Sequence, residues 1–197
     1  MFFVRKPSAE AVRSLLEAQA RLDPSYPEVG ASFGPCPPGY RANGTRVRLG
    51  AGDEVFRAAR AALARWAQFD LGWAGVVPAD AAPAIGGTVA VVARCVGLWW
   101  VNPCRVVAVV DEKDRFGYAC GTLPGHAAAG EERFVVVRDR ADGGVWYDLA
   151  SFSRPRHPLV RLGAAYLRVV QRRFGRDSAA ALRRAVAADT GETIPAR

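Results

Sequence analysis

The chain has 197 residues, a net charge of +8, half its residues hydrophobic and 23% charged. A composition this apolar excludes a disordered chain, and no run approaches the ~18 apolar residues that a membrane-crossing helix needs. All the basic residues but Lys6 and Lys113 are arginines, and no readable nucleic-acid module accompanies them, so the charge describes a solvated basic surface and nucleic acid is not the expected partner.

MFFVRKPSAE lacks a signal-peptide apolar region, so the expected compartment is the cytoplasm. Cys36, Cys95, Cys104 and Cys120 form no C-x-x-C pair and no zinc spacing with His126 or His157. They read as reduced, partly buried thiols.

In chain order, Ser8 caps a helix through AEAVRSLLEAQARL, with Val12, Leu15, Leu16 and Gln19 on one face. The proline- and glycine-rich DPSYPEVGASFGPCPPGY reads as an ordered loop that buries Tyr26, Val29, Phe33 and Tyr40. A first strand follows in GYRANGTRVRLG, and then a helix with Asp53 as N-cap and Val55, Phe56, Ala59, Leu63 and Trp66 turned to a sheet.

From Thr88 the period becomes extended. TVAVVARCVGLWW, RVVAVVDE, RFGYACGTL, ERFVVVRD and GVWYDLASFS read as five strands, with NP, EKD, LPGH and DRADGG between them. Links this short allow only an antiparallel meander. A last helix carries Leu162, Tyr166, Val169, Val170 and Phe174 on one face and runs to about Phe174, with DSAAALRRAVAAD as a second segment. Arg161, Arg168, Arg172 and Arg176 form a basic stripe opposite. One α+β domain is expected over 1–197: a helix and loop in 1–45, a sheet with one helix in 46–155, and a helical segment in 156–190.

This order resembles the helix-grip fold of the birch-pollen-allergen and START-like (SRPBCC) superfamily, in which a curved antiparallel sheet wraps around a long C-terminal helix. YPEVGAS, PPGYR, LGAGDEVFRAA, NPCRVV, FGYACGTLPGHAAAGEERF and SFSRP are similar to the bacterial and plant family called domain of unknown function 1990, over nearly the whole chain. The first resemblance implies a cavity for an apolar ligand between sheet and helix; the second implies no activity.

The residues speak to such a cavity as well. In RFGYACGTL, Phe116, Tyr118, Cys120 and Thr122 share one face and Gly117, Ala119, Gly121 and Leu123 the other. The small face leaves either room for a ligand or space for close packing. Glu131 and Glu132 leave their strand on opposite sides. Phe134 and Val136 place Glu132 inward and Glu131 outward with Arg133, whereas Val135 and Val137 argue the reverse. An inward Glu132 would seek Arg105, His126 or Tyr118, and His126 with a glutamate could perform general acid–base work. Alternatively, His126 donates to a backbone carbonyl of its own loop.

Trp99 and Trp100 alternate faces, so one of them lines the interior, and Arg105 at the mouth would suit a carboxylate or phosphate headgroup. The sequence therefore points to a small apolar or amphipathic ligand bound by Trp100, Arg105, Tyr118, His126, Glu132, Phe134 and Tyr166, with His126 and Glu132 as candidate catalytic residues. No nucleophile elbow or phosphate loop is present, and no cofactor or metal is expected. Two alternatives stand beside this reading. One is a cyclase- or hydrolase-like enzyme using His126 and Glu132, and the other is a docking protein using the arginine stripe.

Overall fold

The computed structural model describes residues 1–156 and 164–191, with backbone only for 164–167. Its elements are β1 (Phe2–Phe3), α1 (Ala9–Gln19), β2 (Arg41–Ala51), α2 (Gly52–Ala64), β3 (Ala74–Val77), β4 (Thr88–Cys95), β5 (Leu98–Glu112), β6 (Arg115–Thr122), β7 (Ala128–Arg138), β8 (Gly144–Pro155) and α3 (Ala164–Thr190). The strands form one antiparallel sheet in the order β2-β8-β7-β6-β5-β4-β3, with β1 paired to β5. Curled around the long α3, this sheet is a helix-grip fold.

Alternation along each strand decides what goes where. The concave face carries Leu49, Val106, Tyr118, Phe134, Val136, Tyr147 and Leu149. They pack against Val55, Phe56, Ala59 and Leu63 of α2 and Leu182 and Val186 of α3. On the convex face Val12 and Leu16 of α1 cover Ala90, Val92 and Val101. Ser8 caps α1 by accepting from the Ala11 N–H at 3.1 Å. Asp53, by contrast, lies inside the first turn of α2, whose cap is Ala51, and its carboxylate pairs with Arg138.

Two boundaries differ from the sequence expectation. The turn between β4 and β5 is Val96–Gly97, within the stretch read as one strand, and β5 continues through Asn102–Pro103. The proline is tolerated because its main chain faces β6 just past the last paired position, Cys104 opposite Thr122. There its carbonyl accepts from the Leu123 N–H at 3.0 Å and no donor is required of it. The last helix is also continuous where two segments were expected. Gly175 sits where α3 crosses β2, with no room for a Cβ beside the Thr45 hydroxyl, and the helix runs on through it.

The small face of β6 is filled by close packing. It is the convex face, and a Cβ on Gly121 would collide with the Tyr26 hydroxyl of the loop before β2. That loop is ordered as expected, with Tyr26 packed on Ala129 and Phe152, although Val29 is 49% exposed. A Cβ on Gly117 would meet the Phe134 carbonyl and the Val135 Cα, both backbone atoms that cannot yield cheaply. Gly117→Ala should therefore lower the unfolding free energy by ~1–3 kcal/mol in a denaturant titration; an unchanged midpoint would contradict this packing.

Candidate functional site

Past the end of the concave face that α2 fills, the sheet and α3 leave a pocket of about 550 Å³. Its floor is built by register. Ser151, Glu132 and Cys120 stand in one cross-strand row, and Ser153, Gly130, Thr122, Cys104 and Val89 are in line in the next. Trp100 and Asn102 continue it along β5, opposite Ala93 and Val91. Val170, Gln171 and Phe174 of α3 close the helix side. Gly130 is where the sheet is tightest, since a Cβ there would strike the Phe152 carbonyl, and its φ is +150°. The lining is predominantly apolar and aromatic, and its described residues include no lysine or arginine.

The two adjacent glutamates have opposite fates. Glu131 points to the convex side and is 2% exposed. Its carboxylate accepts from the Tyr26 hydroxyl at 2.6 Å, the Gly30 N–H at 2.7 Å and the Ser32 N–H at 3.0 Å. Gly30, at φ +88°, supplies the left-handed turn that aims these amides. Glu132 points into the pocket, and no hydrogen bond or ion pair reaches its carboxyl among the described residues. Removal from water raises its pKa from the ordinary 4.5 to about 8. It is therefore largely a protonated acid at neutral pH.

The other polar groups of the lining are mostly engaged. Thr122 Oγ1 accepts from the Gly130 N–H at 3.0 Å and shares a proton with Ser25 Oγ at 2.7 Å. Gln171 donates to Ser153 Oγ at 3.0 Å, which ties α3 to β8. Asn102 Oδ1 accepts from the Ala127 N–H at 3.4 Å. Burial also pushes the Cys104 thiol up to about 12, so it is no nucleophile at neutral pH.

Of the residues predicted to bind, Trp100, His126, Glu132 and Phe134 line the pocket together. His126 Nδ1 lies 2.9 Å from the Ala128 N–H and 3.0 Å from the Ala128 carbonyl, so the backbone engages it in either tautomer. Desolvation lowers the ring to about 4 and keeps it neutral. Arg105 is not at the mouth. It lies on the convex side, where its guanidinium donates to the Ala20 and Leu22 carbonyls at 2.7 and 3.0 Å, just after α1.

Tyr118 is in the core beside the pocket, fully buried against Trp66 and Phe134. Its hydroxyl accepts from Gln68 and donates to the Leu63 carbonyl. The Tyr166 side chain lies outside the described residues, as does Arg161. Arg168, Arg172 and Arg176 are exposed and make no ion pair among the described residues. Ser151, Thr122 and Gln171 were not foreseen, because their place depends on strand register and on the crossing of α3.

Among the described residues no cluster of three or more His, Cys, Asp or Glu could hold a metal ion, and no helix is long and apolar enough to cross a membrane. The chain matches, over residues 25–181, the family model described as a domain of unknown function, DUF1990. It is 38% identical to a UPF0548 protein of Deinococcus radiodurans, over 94% of this chain and 98% of that one. A UPF0548 protein of Arabidopsis thaliana is 37% identical over 73% of this chain and 72% of its own length. Among solved structures, a hypothetical protein of Helicobacter pylori superimposes with a TM-score of 0.53 at 10% identity, covering 81% of this chain and 94% of that one.

Glu132 gives stability a characteristic pH dependence. Between 4.5 and about 8 the folded state holds a proton that the unfolded chain has released, so stability falls as pH rises across that window. His126 acts oppositely but only between about 4 and 6.5, because its neutral form is the folded one. The N-terminal ammonium, lowered by burial, also opposes. The difference between the native chain and Glu132→Gln isolates the carboxyl. The variant should gain on the native chain by up to ~1.4 kcal/mol per pH unit between pH 6.5 and 8, measured by denaturant unfolding. Parallel pH profiles would refute the desolvation of an unpaired Glu132 carboxyl.

Proposed function

The chain belongs to the family described as a domain of unknown function, DUF1990, and since no activity comes with that description, we propose from its geometry that it binds a small apolar or amphipathic ligand between the sheet and the C-terminal helix. The observation that carries this reading is a pocket of about 550 Å³ with a mostly apolar lining and, among the described residues, one unpartnered carboxyl. Ligand pockets fall at roughly 300–1,000 Å³, mostly apolar with a few placed polar groups. Trp100, Phe134, Val170 and Phe174 would hold the ligand's body, and Glu132 and His126 would orient its polar end.

The test is titration with the neutral fluorophore N-phenyl-1-naphthylamine, which brightens in apolar surroundings. The native chain should bind it saturably. Ser151→Trp, which fills the pocket next to Glu132, should weaken binding tenfold or more with an unchanged circular dichroism spectrum. Equal binding by both proteins would place the dye elsewhere and defeat the reading.

A second reading is favoured by the opposite displacements of two groups in one pocket, Glu132 up to about 8 and His126 down to about 4. At pH 7 they stand as a protonated acid and a neutral imidazole, the pair through which a cyclase- or hydrolase-like enzyme would act here. Ligand recovered from incubation with the native chain should then be chemically changed by mass spectrometry. Glu132→Gln and His126→Gln should each leave it intact. Recovery of unchanged ligand from the native chain would leave the chain a binder.

A further inference from the structure

From the arrangement of charge around Glu132 we infer that the pocket selects a ligand carrying a protonated amine on an apolar body, its ammonium pairing with the Glu132 carboxylate. This rests on the pocket being a binding site. Glu132 leaves the middle of β7 into the pocket, and the described groups that face it carry no counter-charge. From β5 and β6 it is faced by the thiols of Cys104 and Cys120 and the hydroxyl of Thr122. From β8 come Ser151 and Tyr147, and from α3 Gln171. None of these is a cation.

Arg105, Arg133 and the N-terminal ammonium are committed elsewhere, and Arg168 and Arg172 of α3 are exposed and outside the lining. Arg105 lies on the convex side at the end of α1. Arg133 leaves β7 on that side too, over the Phe33 ring and toward Asp148 at 3.3 Å. The N-terminal ammonium donates to the Val101 and Gly125 carbonyls at 2.9 and 2.8 Å and does not line the pocket. His126 is neutral and engaged by Ala128.

Glu132 is half-buried in the pocket wall, and a carboxyl withdrawn from water without a partner is costly, a cost that a proton or a cation offsets. No described residue brings a cation to Glu132, and a ligand's ammonium would supply one. The walls favour the same chemistry, because Trp66, Phe69, Trp100 and Phe134 line the pocket and aromatic faces attract ammonium groups once water is excluded. An anionic headgroup would meet no positive group on the floor and would have to sit against an acid.

Binding then has a definite proton balance. At neutral pH the Glu132 carboxyl holds its proton and an alkylamine is already an ammonium. Forming the carboxylate–ammonium pair breaks the Glu132 O–H bond and releases that proton to solvent. Uptake of the cation is thus coupled to loss of about one proton near pH 7, and to none well above pH 8, where the carboxyl is already ionised.

The experiment uses three matched probes, 4-phenylbutylamine, 4-phenylbutanol and 4-phenylbutanoate, competing with N-phenyl-1-naphthylamine on the native chain. Calorimetry of the amine at pH 7 in phosphate and in Tris counts the protons. The amine should displace the dye roughly tenfold or more better than the carboxylate and better than the alcohol, and should release close to one proton. In Glu132→Gln the amine and the alcohol should become equal within a few-fold, and proton release should vanish. If the native chain does not bind the dye, the pocket reading itself falls and this inference with it. If the dye binds but the carboxylate competes as well as the amine, or no proton is released, the pocket stands and the amine preference is overturned. The proton count is made on the native chain, so the outcome does not depend on the variant folding.

Discussion

Neighbouring side chains on a strand leave the sheet in opposite directions, and in β7 that alternation falls between Glu131 and Glu132. One carboxylate is clasped by a tyrosine hydroxyl and two backbone amides beneath the N-terminal loop. The other is sent, unpartnered, into the hollow under the last helix. A register slip of one residue would exchange them and leave both faces with the wrong chemistry. The fixed pairing of Gly121 with Glu131 and of Cys120 with Glu132 is thus the constraint on which clasp and pocket depend.

The two sides of the sheet divide the work accordingly. On the convex side the buried Glu131 carboxyl accepts three hydrogen bonds and helps fasten the long loop before β2, which Ser25 also ties to β6. Tyr26 both donates to that charge and packs into the space that Gly121 leaves. On the concave side α2 and the C-terminal half of α3 form a dense core around Tyr118, Tyr147 and Phe134. The other end of the same face is left open. Rigid packing at one end positions the polar group at the other, since Phe134 belongs to the core and Glu132 lies two residues before it.

Much of this was legible in the sequence, for stated reasons. The meander followed from short links and the α1 cap from Ser8, whereas the sequence left open which of Glu131 and Glu132 faces inward, Phe134 and Val136 favouring Glu132 and Val135 and Val137 the reverse. Trp100 and His126 reach the pocket because alternation and loop position brought them there. What could not be read depends on long-range pairing. Arg105 meets the chain just after α1, far from it in sequence, and Tyr118 shares the pocket's face of the sheet but lies where α2 already covers it. The small face of β6 gave no sign that a tyrosine about a hundred residues earlier would fill it. Val96–Gly97 was hidden as a turn because a valine at positive φ is uncommon, whereas Asn102–Pro103 looked like one and is a strand.

The central claim is that one carboxyl sits in the pocket as an unpaired acid while its sequence neighbour is fully bonded on the other side. Carbon-13 NMR of the protein labelled at the glutamate carboxyl carbons, followed from pH 5 to 9.5, observes that group directly. One resonance should titrate with a midpoint near 8, and it should be missing from Glu132→Gln. A Glu132 resonance that has finished titrating by pH 6 would mean that the carboxyl is solvated or paired, and the account of the pocket would be wrong.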